Sequence, residues 1–249
     1  MLNNLARLYY EQGKYAQADP LFQQALAIQE KARGPNHPKV ASILSNLAES
    51  YLEQEKYVQA EPLYQRALTI WEKALGPEHP DVGWSLNDLA TLYYDQGKYA
   101  EAEPLYRQSL TILEKTLGPE HPEVATGLNN LAVLYYAQGK YAEAEPLYKR
   151  ALAIREKVLG PDHADVAYSL YGLAAFYHVQ GKYAKAKTLY KRTLAIWEKA
   201  LGTDHPNVAI VLKNYAALLW KIKQKDKAAK VEARAQAIHA KHAQENTKK

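Results

Sequence analysis

Apolar residues in Val124–Gln138 fall at Leu128, Leu131, Ala132 and Tyr135. Spacing of i, i+3, i+4, i+7 puts them on one stripe of an α-helix. A second, wider stripe follows in Ala142–Leu159, through Ala144, Leu147, Tyr148, Ala151, Leu152, Ile154, Val158 and Leu159. The pattern predicts two consecutive amphipathic helices, A and B. Gly139 and Gly160 stand where each stripe stops, and a glycine there can take the left-handed conformation that ends many helices. Pro146 falls near the start of B. Early helical N–H groups have no partner in the helix, so its cost is expected to be small.

The same pattern returns every 42 residues. "QGKYA" is read at Gln12–Ala16, Gln96–Ala100, Gln138–Ala142 and Gln180–Ala184, with "QEKYV" at Gln54–Val58. All twelve prolines fall in three columns: Pro20/62/104/146, Pro35/77/119/161 and Pro38/80/122/206. Proline and glycine punctuate the backbone, so their common phase means that the backbone itself repeats. Gly76 and Pro77 read as a stop for B. Pro80 and Asp81 read as the first turn of the next A, with the acid near the positive end of the helix dipole.

One histidine recurs with the same period: His37, His79, His121, His163 and His205. Zinc needs its ligand nitrogens at about 2.0–2.1 Å from one ion. Equivalent residues of stacked repeats lie about 8–10 Å apart, one helix spacing. The column therefore cannot converge on a metal. It is expected to pack in the loop between repeats or to cap helix A. His239 and His242 share a helix face, but two ligands make an incomplete site.

The segment "LNNLAVLYYAQGKYAEAEPLYKRAL" (Leu128–Leu152) resembles the tetratricopeptide repeat, with Leu, Gly or Ala, and Tyr in helix A and Ala/Tyr/Ala in helix B. Ordinary members repeat every 34 residues. The 42-residue period, the longer B and the GPxHP connector are similar to the repeats of kinesin light chains and related bacterial repeat proteins. The resemblance implies an all-α fold, a right-handed superhelical solenoid of stacked antiparallel helix pairs. About six units are expected, at 1–39, 40–81, 82–123, 124–165, 166–207 and 208–242, in one solenoid over 1–242. The first unit lacks the start of its helix A, as a fragment or a shortened start would. In the sixth, Lys223, Glu232 and Gln236 replace the turn glycine, the B tyrosine and a B leucine. Asp226–His242 reads as a polar capping helix, and 243–249 as a flexible basic tail.

In such proteins helix A lines a concave face that holds peptides or protein segments. The core columns barely change here: Leu44/86/128/170/212 and Tyr9/51/93/135/177. Other helix A columns vary, as in Ser42, Trp84, Thr126, Tyr168 and Ile210. A groove whose repeats each touch a different part of a ligand would vary in this way, and so would an unconstrained surface. Asparagine holds one column at Asn4, Asn46, Asn130 and Asn214, with Asp88 and Gly172 as exceptions, and it neighbours Asn87, Asn129, Tyr171 and Lys213. The resemblance implies that such amides contact a ligand backbone, to which an amide can both donate and accept. The competing reading is a bond within the stack. Trp84, Tyr168, Tyr171 and Trp220 are aromatics outside the core columns and suit anchors in a concavity. Trp71 and Trp197, in a helix B column, are expected to seal helix contacts. Early repeats offer Glu11, Glu49, Glu53, Asp88 and Asp95, and late ones Lys213 and Lys221. A ligand that is basic at the early end fits this order. The acidic early face departs from kinesin light chains, which read acidic, tryptophan-containing segments through basic residues.

The net charge of +5 changes the picture only at one end. Lys213–Lys249 carries ten Lys/Arg against three Asp/Glu, a net +7, so the remainder sums to −2. Without a groove-reading motif this favours a solvated cap over nucleic acid. There is no cysteine, hence no disulfide or thiolate site. There is no signal-peptide pattern and no long apolar run, and a cytoplasmic location fits. No phosphate loop or catalytic motif occurs, and Glu101/103 and Glu143/145 suit helix N-termini. A non-catalytic scaffold without cofactor or metal is expected. The alternative is an architectural or self-associating segment of a larger regulatory protein, dimerising through an open N-terminal stacking face.

Overall fold

The computed structural model describes residues 1–247, with side chains described through residue 242. Among these residues there are twelve α-helices and no strand. They fall into two compact units, Met1–Pro119 and Glu120–Lys249. The first holds α1 (Leu2–Glu11), α2 (Tyr15–Arg33), α3 (Pro38–Glu53), α4 (Tyr57–Leu75), α5 (Pro80–Asp95) and α6 (Tyr99–Leu117). The second holds α7 (Pro122–Ala137), α8 (Tyr141–Leu159), α9 (Ala164–Val179), α10 (Tyr183–Leu201), α11 (Pro206–Lys221) and α12 (Lys225–Thr247). Odd-numbered helices are A and even-numbered ones B. Within each unit every A packs on its own B, and that B packs on the next A. This is the all-α helical-repeat solenoid that the periodicity implies.

The connector explains the histidine column. Each histidine is the N-cap of a helix A, with extended backbone, and its Nδ1 accepts the backbone N–H two residues on. The distances are 3.1 Å at His37 and 3.2 Å at His79, His121, His163 and His205. An orphan donor of the first turn is satisfied in this way. Proline follows the histidine as the first helical residue everywhere except at Ala164.

Two details of the punctuation differ from the expectation. Gly160 ends α8 at φ 87°, ψ 155°, not in the left-handed helical region. That extended backbone with positive φ is open essentially to glycine alone, and it throws the chain straight into the connector. Pro146 is the sixth residue of α8, past the four N–H groups that lack partners. It therefore forgoes one helical bond, which the packing of Ala144, Tyr148 and Ala151 in the core has to outweigh.

In the first unit the core is continuous along the hairpins. Ala6, Ala18, Phe22 and Leu47 form one cluster. Ala48, Ala60, Tyr64, Leu89 and Leu92 form the next. In the second unit Phe176 meets the rings of Tyr136, Tyr141 and Tyr148 at 5.7–6.4 Å. Charged side chains tie successive B helices on the surface. Arg66 donates to Glu30 (2.6 Å) and to the Pro35 carbonyl (3.0 Å). Arg234 repeats this on Glu198 (2.6 Å) and the Thr203 carbonyl (3.1 Å). Part-exposed pairs of this kind contribute up to about 1 kcal/mol each. Helix α12 runs past the expected cap to Thr247, and residues 248–249 of the expected tail lie outside the described residues.

Candidate functional site

The helix A columns place the candidate residues unevenly. In the first unit Asn4 is exposed on α1. Asn46 donates its amide to Asn3 at 3.1 Å, a bond between successive A helices. Asn87 is buried and donates to Asp88. In the second unit Asn214 donates to the Tyr171 hydroxyl at 2.6 Å, again from one A helix to the previous one. Asn129 holds a buried carbonyl oxygen with no partner. Asn130 and Lys213 stand on α7 and α11, Asn130 half-buried and Lys213 exposed. Tyr168 is 47% exposed and receives a hydrogen bond from Asn207. Two of the column asparagines, Asn46 and Asn214, thus tie the stack together.

The helix B column of residues 71, 113, 155 and 197 decides what happens beneath the helix A face. Its residues are Trp71, Leu113, Arg155 and Trp197. Trp197 is 2% exposed, and its indole donates to the Ala164 carbonyl at 3.1 Å. Tyr168 and Tyr171 cover it, with ring centroids at 4.9 and 6.2 Å. Arg155 is 7% exposed. Its guanidinium donates to the Ser169 hydroxyl at 2.7 Å and to the Thr126 hydroxyl at 2.9 Å. Burial lowers its pKa, the charges of Asp165 and Glu123 oppose that, and among the described residues no carboxylate pairs with it directly.

Trp71 behaves differently. It packs on the cores around Val40 and Val82, yet one side lines an open pocket of about 160 Å³. The other walls are Ser42, Ser45 and Asn46 of α3 and Asp81, Trp84, Ser85 and Asp88 of α5. The Ser85 hydroxyl is buried without a partner. Asp88 has its pKa pushed up to about 7, by burial first and then by the charge of Glu49, against the hydrogen bond from Asn87. No cation stands within ion-pair distance of Asp88 among the described residues. The sequence pointed to Trp84 and Asp88. It named Ser42 only as one member of a varying column, expected Trp71 to seal helix contacts, and missed Ser85 and the pocket-lining side of Trp71.

The family model for the tetratricopeptide repeat matches residues 1–68, 40–115, 89–157, 123–175 and 165–241. The chain belongs to the tetratricopeptide repeat family. Its repeats are of the kinesin-light-chain-like type. A kinesin-light-chain-type protein of Podosopora anserina with nearly identical TPR-like repeats is 32% identical (TM-score 0.66, 80% of this chain and 94% of that one). BtubC (BKLC) from P. vanneervenii is 25% identical (TM-score 0.73, 93% and 92%). A Rap protein complexed with Competence and Sporulation Factor is similar in fold at 20% identity (TM-score 0.69, 98% and 75%). No curated protein matches the sequence. None of the helices described in these tetratricopeptide repeats is long and apolar enough to cross a membrane.

Proposed function

We propose that the chain is a non-catalytic scaffold that binds a peptide or protein segment on the A-helix faces of its tetratricopeptide repeats. The observation that carries this reading is the contrast between columns. The core column Leu44/86/128/170/212 is uniform and buried, whereas the columns of Ser42/Trp84/Tyr168, of Asn4/Asp88 and of Ser45/Lys213 differ from repeat to repeat and reach solvent or a pocket. Asn4, Asn46, Trp84, Asn87 and Asp88 belong to the contact set of the first unit. Asn129, Asn130, Tyr168, Tyr171, Lys213 and Asn214 belong to that of the second. The fold supports the reading, since the similar Rap protein was solved holding a factor. The test is a peptide-array capture comparing the parent with Trp84→Ala/Lys213→Glu, each checked by circular dichroism. Segments held by the parent and lost by the folded variant support the scaffold. Capture that is equal for both overturns the assignment to these faces.

A second reading, self-association, rests on the first hairpin. Leu5, Leu8 and Ile28 are 41–50% exposed. Their counterparts Leu47, Leu92 and Ile70 are at most 3% exposed, each in a cluster that includes residues of the hairpin before it. Beside them lies a pocket of about 460 Å³ lined by Met1, Asn4, Ile28 and Ile43. Sedimentation of Leu8→Lys/Ile28→Lys against the parent tests this reading. A concentration-dependent dimer that the substitutions dissolve supports it, and a monomeric parent overturns it.

A further inference from the structure

The pocket between α3, α4 and α5 has a filled counterpart elsewhere in the same chain, in two different ways. Ser85 and Ser42 are the 42-fold equivalents of residues 169 and 126 two repeats on. There Ser169 and Thr126 offer their hydroxyls to the buried guanidinium of Arg155. In the first unit the column residue is Trp71, so the hydroxyls remain and the guanidinium is missing. Ser85 is 2% exposed and its hydroxyl has no partner. Ser42 and Ser45 are also the equivalents of Tyr168 and Tyr171, the rings that cover Trp197. With serine in both places, the space beside Trp71 stays open.

The walls of this space select for charge. Asp88 contributes a carboxylate that has the Asn87 amide as a partner but no cation. Asp81 contributes a second, 3.7 Å from His79 Nδ1. The indoles of Trp71 and Trp84 flank them. Two indoles, an acid without a cation and an orphan hydroxyl are the partners of a planar cation, which stacks on indole and forks its N–H groups onto carboxylate and hydroxyl. A volume of about 160 Å³ accepts one such side-chain head and little more. An ammonium is more strongly hydrated and cannot stack, so lysine fits less well.

We propose that the pocket formed by Ser42, Trp71, Trp84, Ser85 and Asp88 is the receptor for an arginine side chain of a bound protein segment, taking from outside the guanidinium that Arg155 supplies internally in the second unit. The inference rests on the scaffold reading for its use, but it can be tested without any partner. The probe is N-acetyl-arginine amide, followed by the indole N–H resonances of the four tryptophans, each assigned with its Trp→Phe variant. Trp71 and Trp84 shift saturably, with a dissociation constant on the order of millimolar, while Trp197 and Trp220 stay still. Asp88→Asn weakens binding about tenfold or more, and Ser42→Tyr abolishes it. The Asp88→Asn variant removes a half-buried charge that has no cation partner and keeps the shape of the side chain, and circular dichroism checks that it stays folded. Equal shifts at all four indoles, equal binding of N-acetyl-leucine amide, or unchanged binding by Asp88→Asn each overturn the proposal. If the probe binds and peptide arrays capture nothing, the pocket stands and the scaffold reading falls. If arrays capture segments lacking arginine through Trp84, the scaffold stands and the arginine pocket falls.

Discussion

The first unit and the second are built from one repeat, yet they settle the same buried corner differently. Around Arg155 the corner is closed by a charge bound to two hydroxyls. Around Trp197 it is closed by tyrosine rings. Around Trp71 it stays open and carries an uncompensated acid. A repeat tolerates such variation because each hairpin contacts only its neighbours, so a change at one level is not felt at the others. In the open corner the Ser85 hydroxyl lacks the partner that Ser169 finds in Arg155, and it is this corner that is proposed to bind.

The comparison breaks most severely if the internal guanidinium is removed. Arg155→Ala leaves a void and two unsatisfied hydroxyls, a loss of roughly 2–4 kcal/mol. Thermal or urea unfolding checks this. Leu113, in the same column of the first unit, is fully buried and makes no polar contact, so Leu113→Met tests the position without the charge and costs less than about 1.5 kcal/mol. A loss at Arg155→Ala as small as at Leu113→Met would mean that the guanidinium contributes nothing beyond volume.

Asp88→Asn sharpens the comparison from the other side, because the second unit has Asn130 and Asn214 in that column. The carboxyl is held up to about 7 in the folded protein, against an ordinary value near 3.9 when unfolded. Between those values the native state binds more protons than the unfolded state, so this group makes stability fall as pH rises through pH 4–7. The substitution is therefore neutral near pH 4 and stabilising above pH 7. Solvent at the half-buried pocket mouth limits the gain to about 1–2 kcal/mol. Unfolding midpoints of parent and variant at both pH values measure it. A variant that gains nothing at pH 8 would mean that Asp88 is not under strain.

The fold was legible because its signals are redundant. Period, proline columns and apolar stripes all repeat in one phase, and of the two places expected for the histidine column the structure shows the cap, on α3, α5, α7, α9 and α11. The site was legible only in part, for a physical reason. Trp84 stood out as an aromatic outside the core columns, and Asp88 as an exception in a column of asparagines. Ser42, Ser85 and Trp71 matter only through who faces them across three helices, and facing pairs do not share a sequence period. Pro146 shows the same limit at small scale: its column was plain, but its depth of six residues into α8 depended on where Tyr141 begins the helix. Asn46 and Asn214 show it again, since only packing reveals that their amides donate to Asn3 and Tyr171.

The histidine caps extend the comparison to the connectors. His205→Ala removes the acceptor for the Asn207 N–H and costs about 1 kcal/mol. Burial first, and then the neighbouring His242, lower the pKa of His205. A lowered histidine binds fewer protons folded than unfolded, so its contribution is present above the ordinary value near 6.5 and is lost as pH falls through the folded value. Parent and His205→Ala should therefore converge in stability toward acid pH. A constant gap between them would assign the cost to packing and not to the cap.

The smallest expected effect closes the open corner itself. Ser42→Tyr with Ser45→Tyr copies into the first unit the rings that cover Trp197. The added rings bury apolar area against Trp71 and fill about 160 Å³ of space. The gain is offset by the side-chain entropy of two tyrosines and by imperfect fit, leaving roughly 0.5–1 kcal/mol of net stabilisation. The same double substitution must remove the arginine probe's effect on the Trp71 indole. Stabilisation with loss of binding is the outcome that equates the open space with the site. Loss of binding with destabilisation would mean that the helices around Trp71 cannot accept the packing of the second unit, and that the two corners differ in backbone and not only in side chains.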